Sequence, residues 1–277
     1  MNRLKVKNQL LTKEAKNRQT PDPVVRITFL GTGTSQGVPV IACDCEVCTS
    51  KDPRDNRLRT SILVEDEHTT VVIDSGPDFR YQMLRAGVKK LDGLLFTHEH
   101  KDHIAGMDDI RAFNYICKKP VDIYATEQVQ HAIKREFHYA FDAIKYPGVP
   151  ELHLHTIENK PFKIGTLTFT PILVKHFLLD IFGFRIGDFT YITDAKTIPD
   201  SEHTKIFGSK VLVLNALRRE PHVSHLTLEE ALEMMAYFKP EMGLLTHLSH
   251  QMGLHEAVEK ELPSNVKIAY DGMVLKF

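Results

Sequence analysis

The sequence predicts an α/β sandwich in which two β-sheets lie back to back and helices cover their outer faces. Short apolar segments with β-strand character alternate with segments of helical spacing in both halves of the 277-residue chain. No low-complexity segment or short-period repeat interrupts this alternation. With 42% hydrophobic residues, the chain can bury one large core.

The first half opens with a predicted strand over residues 25–30, followed by a Gly- and Thr-rich turn at 31–37. Residues 61–64 and 70–73 are predicted to form a hairpin. The Asp-Ser-Gly-Pro segment at 74–77 ends the second of these strands and starts a helix that runs to about residue 86. Further strands are predicted over 91–96 and 121–124, and further helices over 104–117 and 127–139.

The second half repeats the alternation. Residues 182–186 and 189–192 flank Gly187 and Asp188, a dipeptide typical of tight hairpin turns. Residues 228–238 show the apolar spacing of a helix. The other predicted elements are strands over 166–174, 211–214, 243–245, 266–270 and 273–275, and a helix over 256–262.

Charge and cysteine content exclude several classes of function. The formal net charge of −1 does not point to a long nucleic acid or a membrane surface as a partner. No apolar run approaches the length of a bilayer span. Four cysteines, three of them crowded together, do not resemble a secreted disulfide framework, so we expect a cytoplasmic protein.

Residues 1–23 are predicted to be a basic extension that precedes a folded domain at 24–277. The first 20 residues carry six Lys or Arg and one Glu, and they lack the apolar core of a secretory signal. Two interpretations stay open: a solvated, partly helical extension, or an arm that contacts nucleic acid or phosphate.

The densest chemical signal is His-Glu-His-Lys-Asp-His at residues 98–103, directly after the apolar run 94–97. Five of these six side chains can ligate a metal ion, and the spacing predicts one tight loop leaving a strand. Imidazole and carboxylate ligands suit zinc, iron, manganese or nickel. The alternative is a solvated loop that is rich in histidine by chance.

Three later residues of the same ligand types each follow an apolar strand: His176, Asp194 and His247. Loops at strand ends can converge on one rim of a fold, so these side chains are predicted to join the first motif. The combined set of five His and two Asp exceeds what one tetrahedral ion needs. It suits two ions that share a carboxylate, an arrangement that serves displacement at phosphorus or at a carbonyl carbon.

Residues 97–103 and the later order of His, Asp and His resemble the signature of the metallo-β-lactamase fold superfamily. The resemblance implies an αββα four-layer sandwich with two mixed β-sheets flanked by helices. It also implies that Asp194 bridges two ions and that Asp74 supports the metal loop without binding metal. The implied ligands are His98, His100 and His176 for one ion, and Asp102, His103 and His247 for the other.

Cys43, Cys45 and Cys48 form a C-x-C-x₂-C cluster, and three thiolates need a fourth ligand to complete a tetrahedron. His250 is the best candidate, because it lies three residues after His247 and the two predicted catalytic ions do not need it as a ligand. A closed site of this kind would be a structural zinc that pins the early loop to the turn at 248–250. Three free thiols are the alternative, and Cys117 is predicted to be a buried thiol.

The cysteine trio and the segments 31–34, 245–251 and 270–273 are together similar to the PhnP-type cyclic-phosphate phosphodiesterases. That resemblance implies a hydrolase for small cyclic or nucleotide-like phosphodiesters that holds two active-site ions, Zn or Mn, and one structural zinc. It also implies no membrane or long nucleic acid as partner, and it favours a homodimer.

The candidate catalytic residues are Asp102 and His225. His225 precedes the helix at 228, where the resemblance implies a role near the leaving group, and an imidazole suits general-acid catalysis. Capping the helix is the alternative role for His225, and His222 is its neighbouring rival. Arg218 is a weaker candidate for substrate contact, together with His222.

Three other functions compete with a small-molecule phosphodiesterase. A tRNA 3′-end processing endoribonuclease shares the seven ligands, but such enzymes usually carry a long basic arm whose composition no insertion here matches. Thioester or lactone hydrolases of the same fold commonly append a helical C-terminal domain. A catalytically dead scaffold is disfavoured because the full ligand set is present.

Overall fold

The computed structural model describes residues 24–277, which form two seven-stranded β-sheets packed face to face with helices on both outer sides. The predicted four-layer αββα sandwich is therefore confirmed. The predicted basic extension at 1–23 lies outside the described residues. Over residues 24–277, none of the helices has the length and apolar character needed to cross a membrane.

The first sheet has the strand order β14-β1-β2-β3-β4-β5-β6. The pairs β14–β1, β1–β2 and β2–β3 are antiparallel, whereas β3 to β6 run parallel to one another. The strands of this sheet are β1 (Arg26–Gly31), β2 (Ser61–Glu65), β3 (Thr70–Ile73), β4 (Gly93–Leu95), β5 (Val121–Ala125), β6 (Leu152–Thr156) and β14 (Val274–Lys276).

The second sheet has the order β13-β12-β11-β10-β9-β8-β7. Strands β10 to β13 run parallel, and β7 to β10 pair as antiparallel hairpins. The strands are β7 (Phe162–Ile164), β8 (Leu167–His176), β9 (Leu179–Ile186), β10 (Phe189–Ile192), β11 (Val211–Asn215), β12 (Met242–Thr246) and β13 (Val266–Ile268).

Seven α-helices and several 3-10 turns connect the strands of the described chain, residues 24–277. The helices are α1 (Phe79–Ala86), α2 (Lys101–Ile104), α3 (Arg111–Cys117), α4 (Glu127–Glu136), α5 (His203–Ile206), α6 (Leu228–Phe238) and α7 (His255–Glu259). Helix α6 has the predicted bounds because Thr227 caps it: the Thr227 hydroxyl accepts from the Glu230 backbone N–H, and the Glu230 carboxylate accepts from the Thr227 N–H.

The prediction of one helix over 104–117 is wrong, because this segment contains the end of α2, a 3-10 turn at Met107–Ile110, and α3. The interruption follows Gly106, where a Cβ atom would lie only 2.1 Å from the carbonyl oxygen of Gly76. Strands β6 and β7 were not predicted. Both lie at sheet edges, and the largely exposed side chains of β6 give no continuous apolar run.

Alternation along the strands divides the core into three layers. In β2, Ile62 and Val64 face the layer between the two sheets, and Leu63 faces the layer beneath α1, α3 and α4. In β11, Val213 points to the layer between the sheets, and Leu214 points to the layer beneath α6 and α7. Because successive side chains of a strand point to opposite faces, each central strand has to be apolar on both sides.

Candidate metal centre

The predicted ligands meet where several strands end along one rim of the sandwich. Loops leave the carboxyl ends of β4, β8, β10 and β12 directly into the ligand positions, as parallel α/β sheets commonly place their sites. Asp194 and His247 have φ angles of 59° and 57°. Such left-handed backbone is uncommon outside glycine and is concentrated at functional sites.

His98, His100 and His176 form the first donor group, with one ring nitrogen each within 4.8 Å of the others. Nε2 of His98 lies 3.1 Å from Nδ1 of His100. Nδ1 of His176 donates to the backbone carbonyl of Ser224 at 2.9 Å, which turns its Nε2 toward the other two rings. The side chains expected to hold one ion are thus brought together.

Asp102, His103, Asp194 and His247 form the second donor group. Nε2 of His103 lies 3.2 Å from the Asp102 carboxylate and 3.3 Å from that of Asp194. Nε2 of His247 lies 3.0 Å from Asp194 and 3.7 Å from Asp102. Asp194 also groups with His176 and His225, so its carboxylate stands between the two donor groups.

Asp74 lies behind this group and is fully buried. Its carboxylate accepts from Nδ1 of His103 at 2.7 Å and from the backbone N–H and hydroxyl of Thr97 at 2.9 and 2.8 Å. These bonds leave Nε2 of His103 as the free nitrogen. The contacts are those of a supporting residue that orients a ligand, as the sequence predicts for Asp74.

The donor chemistry fits divalent cations. Burial opposes a charge on His103 and His247, yet nearby carboxylates hold the pKa of His103 well above its usual value and raise that of His247 to about 9. Within residues 24–277, Nε2 of both histidines is buried and forms no well-directed hydrogen bond, although carboxylate oxygens lie 3.0–3.3 Å away. A surplus of buried carboxylate charge beside these imidazole nitrogens is the environment in which a metal ion replaces the protons.

His225 lies beside both donor groups. Its Nε2 is 3.0 Å from the Asp194 carboxylate, and its ring centroid is 4.7 Å from that of His176. Burial lowers the pKa of His225 to about 4, although the hydrogen bond that Nε2 donates to the Asp194 carboxylate acts to raise it. His222 lies one step farther out, with its Nδ1 3.2 Å from Nδ1 of His225.

Arg218 holds the loop that carries these two histidines. Its guanidinium donates to the carbonyl oxygens of Glu220 and Pro221 at 3.3 and 3.0 Å and to Oε1 of Gln251 at 3.0 Å. Arg218 therefore stabilises the conformation of this loop. Its contact with substrate stays a prediction.

The three cysteines predicted to bind zinc surround one nitrogen of His250. The Sγ atoms of Cys43, Cys45 and Cys48 lie 3.2, 3.4 and 3.5 Å from Nδ1 of His250. In a tetrahedron with Zn–S about 2.3 Å and Zn–N about 2.05 Å, sulfur and nitrogen are about 3.5 Å apart. The backbone N–H of Cys48 lowers the pKa of the Cys45 thiol to about 6, which favours a thiolate ligand.

Sequence reasoning missed two groups that position the site. Asn215 closes β11 and bonds both backbone groups of Ala195, at 2.8 and 3.0 Å, which fixes the loop after Asp194. The Ser224 carbonyl orients His176. A buried amide after the apolar run 211–214 was a usable signal for Asn215, whereas a backbone carbonyl leaves no mark on the sequence.

Comparison with known proteins places this geometry in a family. The Beta-lactamase superfamily domain matches residues 69–248. A crystal structure of a diphosphatase from the PhnP family superposes with a TM-score of 0.86 at 38% identity, covering 92% of this chain and 97% of that one.

Two relatives by sequence carry other names. An octanoyltransferase of Porphyromonas gingivalis is 39% identical over 90% of this chain, which spans only 51% of that protein's length. A ribonuclease Z of Pyrobaculum aerophilum is 24% identical over 82% of this chain and 88% of its own length.

We predict that Cys45→Ser removes about one zinc ion per chain and lowers the melting temperature, because a closed tetrahedral site loses one of four ligands. Elemental analysis of the purified protein measures the ion count. Cys117→Ser, outside the cluster, is the matched control and keeps the wild-type count. An unchanged zinc content in Cys45→Ser would rule out this site.

Gly76→Ala tests whether close packing against Gly76 holds the loop at residues 98–103 in place. A Cβ atom there would lie 2.0 Å from the carbonyl oxygen of Asp102, so the backbone has to shift. We expect a loss of about 1–3 kcal/mol in unfolding free energy and weaker metal binding at the histidine-rich site. In Gly87→Ala, the control, no atom lies within 4 Å of the added Cβ, so only the strain of its φ of 68° is expected. Equal metal affinity in both variants would contradict the expectation.

Proposed function

The chain belongs to the beta-lactamase superfamily and is a metal-dependent hydrolase, and from this premise we propose that it hydrolyses small phosphodiesters, cyclic or nucleotide-like. The similarity to a PhnP-family diphosphatase supports phosphorus as the reacting centre. The proposal includes two divalent ions at the histidine-rich site, Zn or Mn, and one structural zinc at the cysteine cluster.

The observation that carries the proposal is the Asp194 carboxylate between the two donor groups. It lies within ligand range of His103 and His247 on one side and of His176 and His225 on the other. When bound, two divalent ions at such a site would neutralise a phosphodiester anion and lower the pKa of water.

The protein's own residues then divide the remaining tasks. Asp74 and the Ser224 carbonyl fix the ring orientation of His103 and His176. His225, with Nε2 beside Asp194, is placed to donate a hydrogen bond to the departing ester oxygen as a water oxygen bonds to phosphorus and the ester P–O bond breaks. Only the protonated imidazole can also give up a proton, and with a pKa of about 4 this form is the minor one at neutral pH. Asp102 contributes its carboxylate to the second donor group.

The alternative function is cleavage of tRNA precursors, because several ribonucleases Z and a ribonuclease BN are 24–34% identical to parts of this chain. We favour a small substrate because the formal net charge of the chain is −1. A protein that binds a large RNA generally has a strongly basic surface. A cytoplasmic location and a homodimer belong to the same proposal.

Metal-loaded protein is expected to hydrolyse bis(p-nitrophenyl) phosphate, and Asp194→Asn is expected to lower kcat/KM by at least about 100-fold, because the shared carboxylate loses its charge. Release of p-nitrophenolate is the readout, and His131→Ala, at an exposed position, is the control. The proposal fails if no hydrolysis occurs or if Asp194→Asn changes nothing. Faster cleavage of a tRNA precursor than of small diesters would replace it with the endoribonuclease alternative.

His225→Ala separates proton donation from binding. The leaving group of a 2′,3′-cyclic nucleotide is an alkoxide, which departs slowly unless it is protonated. For this substrate we expect kcat to fall about 10²–10⁴-fold. For bis(p-nitrophenyl) phosphate, whose leaving group needs no proton, the loss is expected to be below about tenfold. His222→Ala is the matched comparison. Equal losses for both substrates would assign His225 a positioning role, and a larger effect of His222→Ala would transfer the proton-donor role to that residue.

A further inference from the structure

An open cleft of about 450 Å³ adjoins the metal centre. Its lining includes His100 and His176 together with Phe177 and Leu178 of the β8–β9 turn and Val223 and Ser224 of a second loop. The cleft therefore continues the site at which the scissile phosphate is proposed to bind.

The walls of this cleft are apolar and exposed. Phe177, Leu178 and Val223 are 58%, 83% and 70% exposed. Apolar side chains that cluster in the open beside an active site mark a ligand-binding surface, because covering them with an apolar group is favourable.

Both segments that line the cleft are connected to His176, a predicted metal ligand. Phe177 and Leu178 are the two loop residues of the β8–β9 hairpin, in which His176 pairs with Leu179. The backbone of Phe177 has a φ of 57°, a conformation that bulky residues rarely adopt. Val223 precedes Ser224, whose carbonyl accepts from Nδ1 of His176. The distance from the walls to the metal centre is therefore fixed by short, rigid connections.

The charge of the cleft excludes a second anionic group. Among the described residues that line it there is no Lys or Arg, and the one charged side chain is Glu99, whose carboxylate accepts from Gln128 at 2.7 Å. A further phosphate placed here would meet a carboxylate without a cation to compensate it. An uncharged group meets no such cost.

The geometry points to a subsite for an uncharged ring: the cleft walled by Phe177, Leu178 and Val223 binds the nucleobase or aryl group of a substrate whose phosphate lies at the metal centre. This inference rests on the proposed phosphodiesterase function and narrows its substrate class. A phosphodiester that carries a ring is preferred over a sugar that carries a second phosphate, because only the ring matches both the apolar walls and the missing positive charge.

Direct binding tests the subsite without relying on turnover. Isothermal titration calorimetry of metal-loaded protein compares phenylphosphonate with methylphosphonate, which share the anionic group and differ in the ring. We expect phenylphosphonate to bind about 10- to 100-fold more tightly, as burial of a ring-sized apolar surface predicts. A second pair, adenosine 5′-monophosphate and ribose 5-phosphate, distinguishes a nucleobase from an aryl group as the preferred ring.

Phe177→Gly and Leu178→Ala are the informative variants. Glycine adopts the φ of 57° readily, so Phe177→Gly removes the ring without destabilising the hairpin. In each variant the preference for phenylphosphonate is expected to fall at least about fivefold, while methylphosphonate binds as before. Ile144→Ala is the control, because Ile144 is 92% exposed and is not among the residues that line the cleft.

These measurements distinguish failure of the ring subsite from failure of the proposed phosphodiesterase reaction. If the phenyl preference is absent in the wild type, or survives both variants, the ring subsite is overturned even when bis(p-nitrophenyl) phosphate is hydrolysed. If the preference follows the variants but no phosphodiester is hydrolysed, the ring subsite stands and the proposed reaction is wrong.

Discussion

The structure depends on concentrated negative charge at one buried rim. Asp74, Asp102 and Asp194 all lie within 3.3 Å of a ring nitrogen of His103. Protonated imidazoles can balance these carboxylates, and the pKa values of His103 and His247 rise despite burial because the carboxylates are close. Divalent cations balance the same charge with the imidazoles neutral, so the fold and the metal chemistry are two consequences of one electrostatic requirement.

The cysteine cluster and the histidine-rich site are mechanically connected. His247 and His250 belong to one short turn, and the backbone of Leu248 between them bonds Thr32 and Thr34 of the β1–β2 loop, at 3.0 Å in each case. The cysteines lie on that same loop, so an ion held by the cluster would fix both sides of the turn that carries a catalytic ligand. Such a closed site would therefore contribute to the order of the histidine-rich site.

The β8–β9 hairpin shows how this fold separates chemistry from selectivity. Its strand delivers His176 to the metal centre, and its two-residue turn places Phe177 and Leu178 in the cleft next to it. The strand is constrained by the core, since Ile172 and Val174 are completely buried. The turn residues line the cleft and are more than half exposed, so substitutions there are expected to alter the group that is recognised while the ligand set stays in place.

The sequence by itself determined which chemistry was available. Strand ends read from apolar runs predicted that His176, Asp194 and His247 lie at one rim, because a buried strand has to be apolar along its length and its first polar residue marks the rim. The structure brings the donor atoms of these residues to one edge of the fold. The three crowded cysteines likewise predicted a fourth donor, since a tetrahedral ion needs one, and His250 was the candidate because it lies three residues after His247 and outside the seven-residue ligand set.

Contacts between distant segments decided the rest. The close approach of Gly76 and Gly106 interrupts the helix predicted over 104–117, and the exposed edge strand β6 leaves too weak a pattern to read. Only the tertiary structure shows that Phe177 and Val223, which are distant in the sequence, are both exposed and line one open cleft. Their exposure depends on the spacing between two loops, which local sequence does not encode.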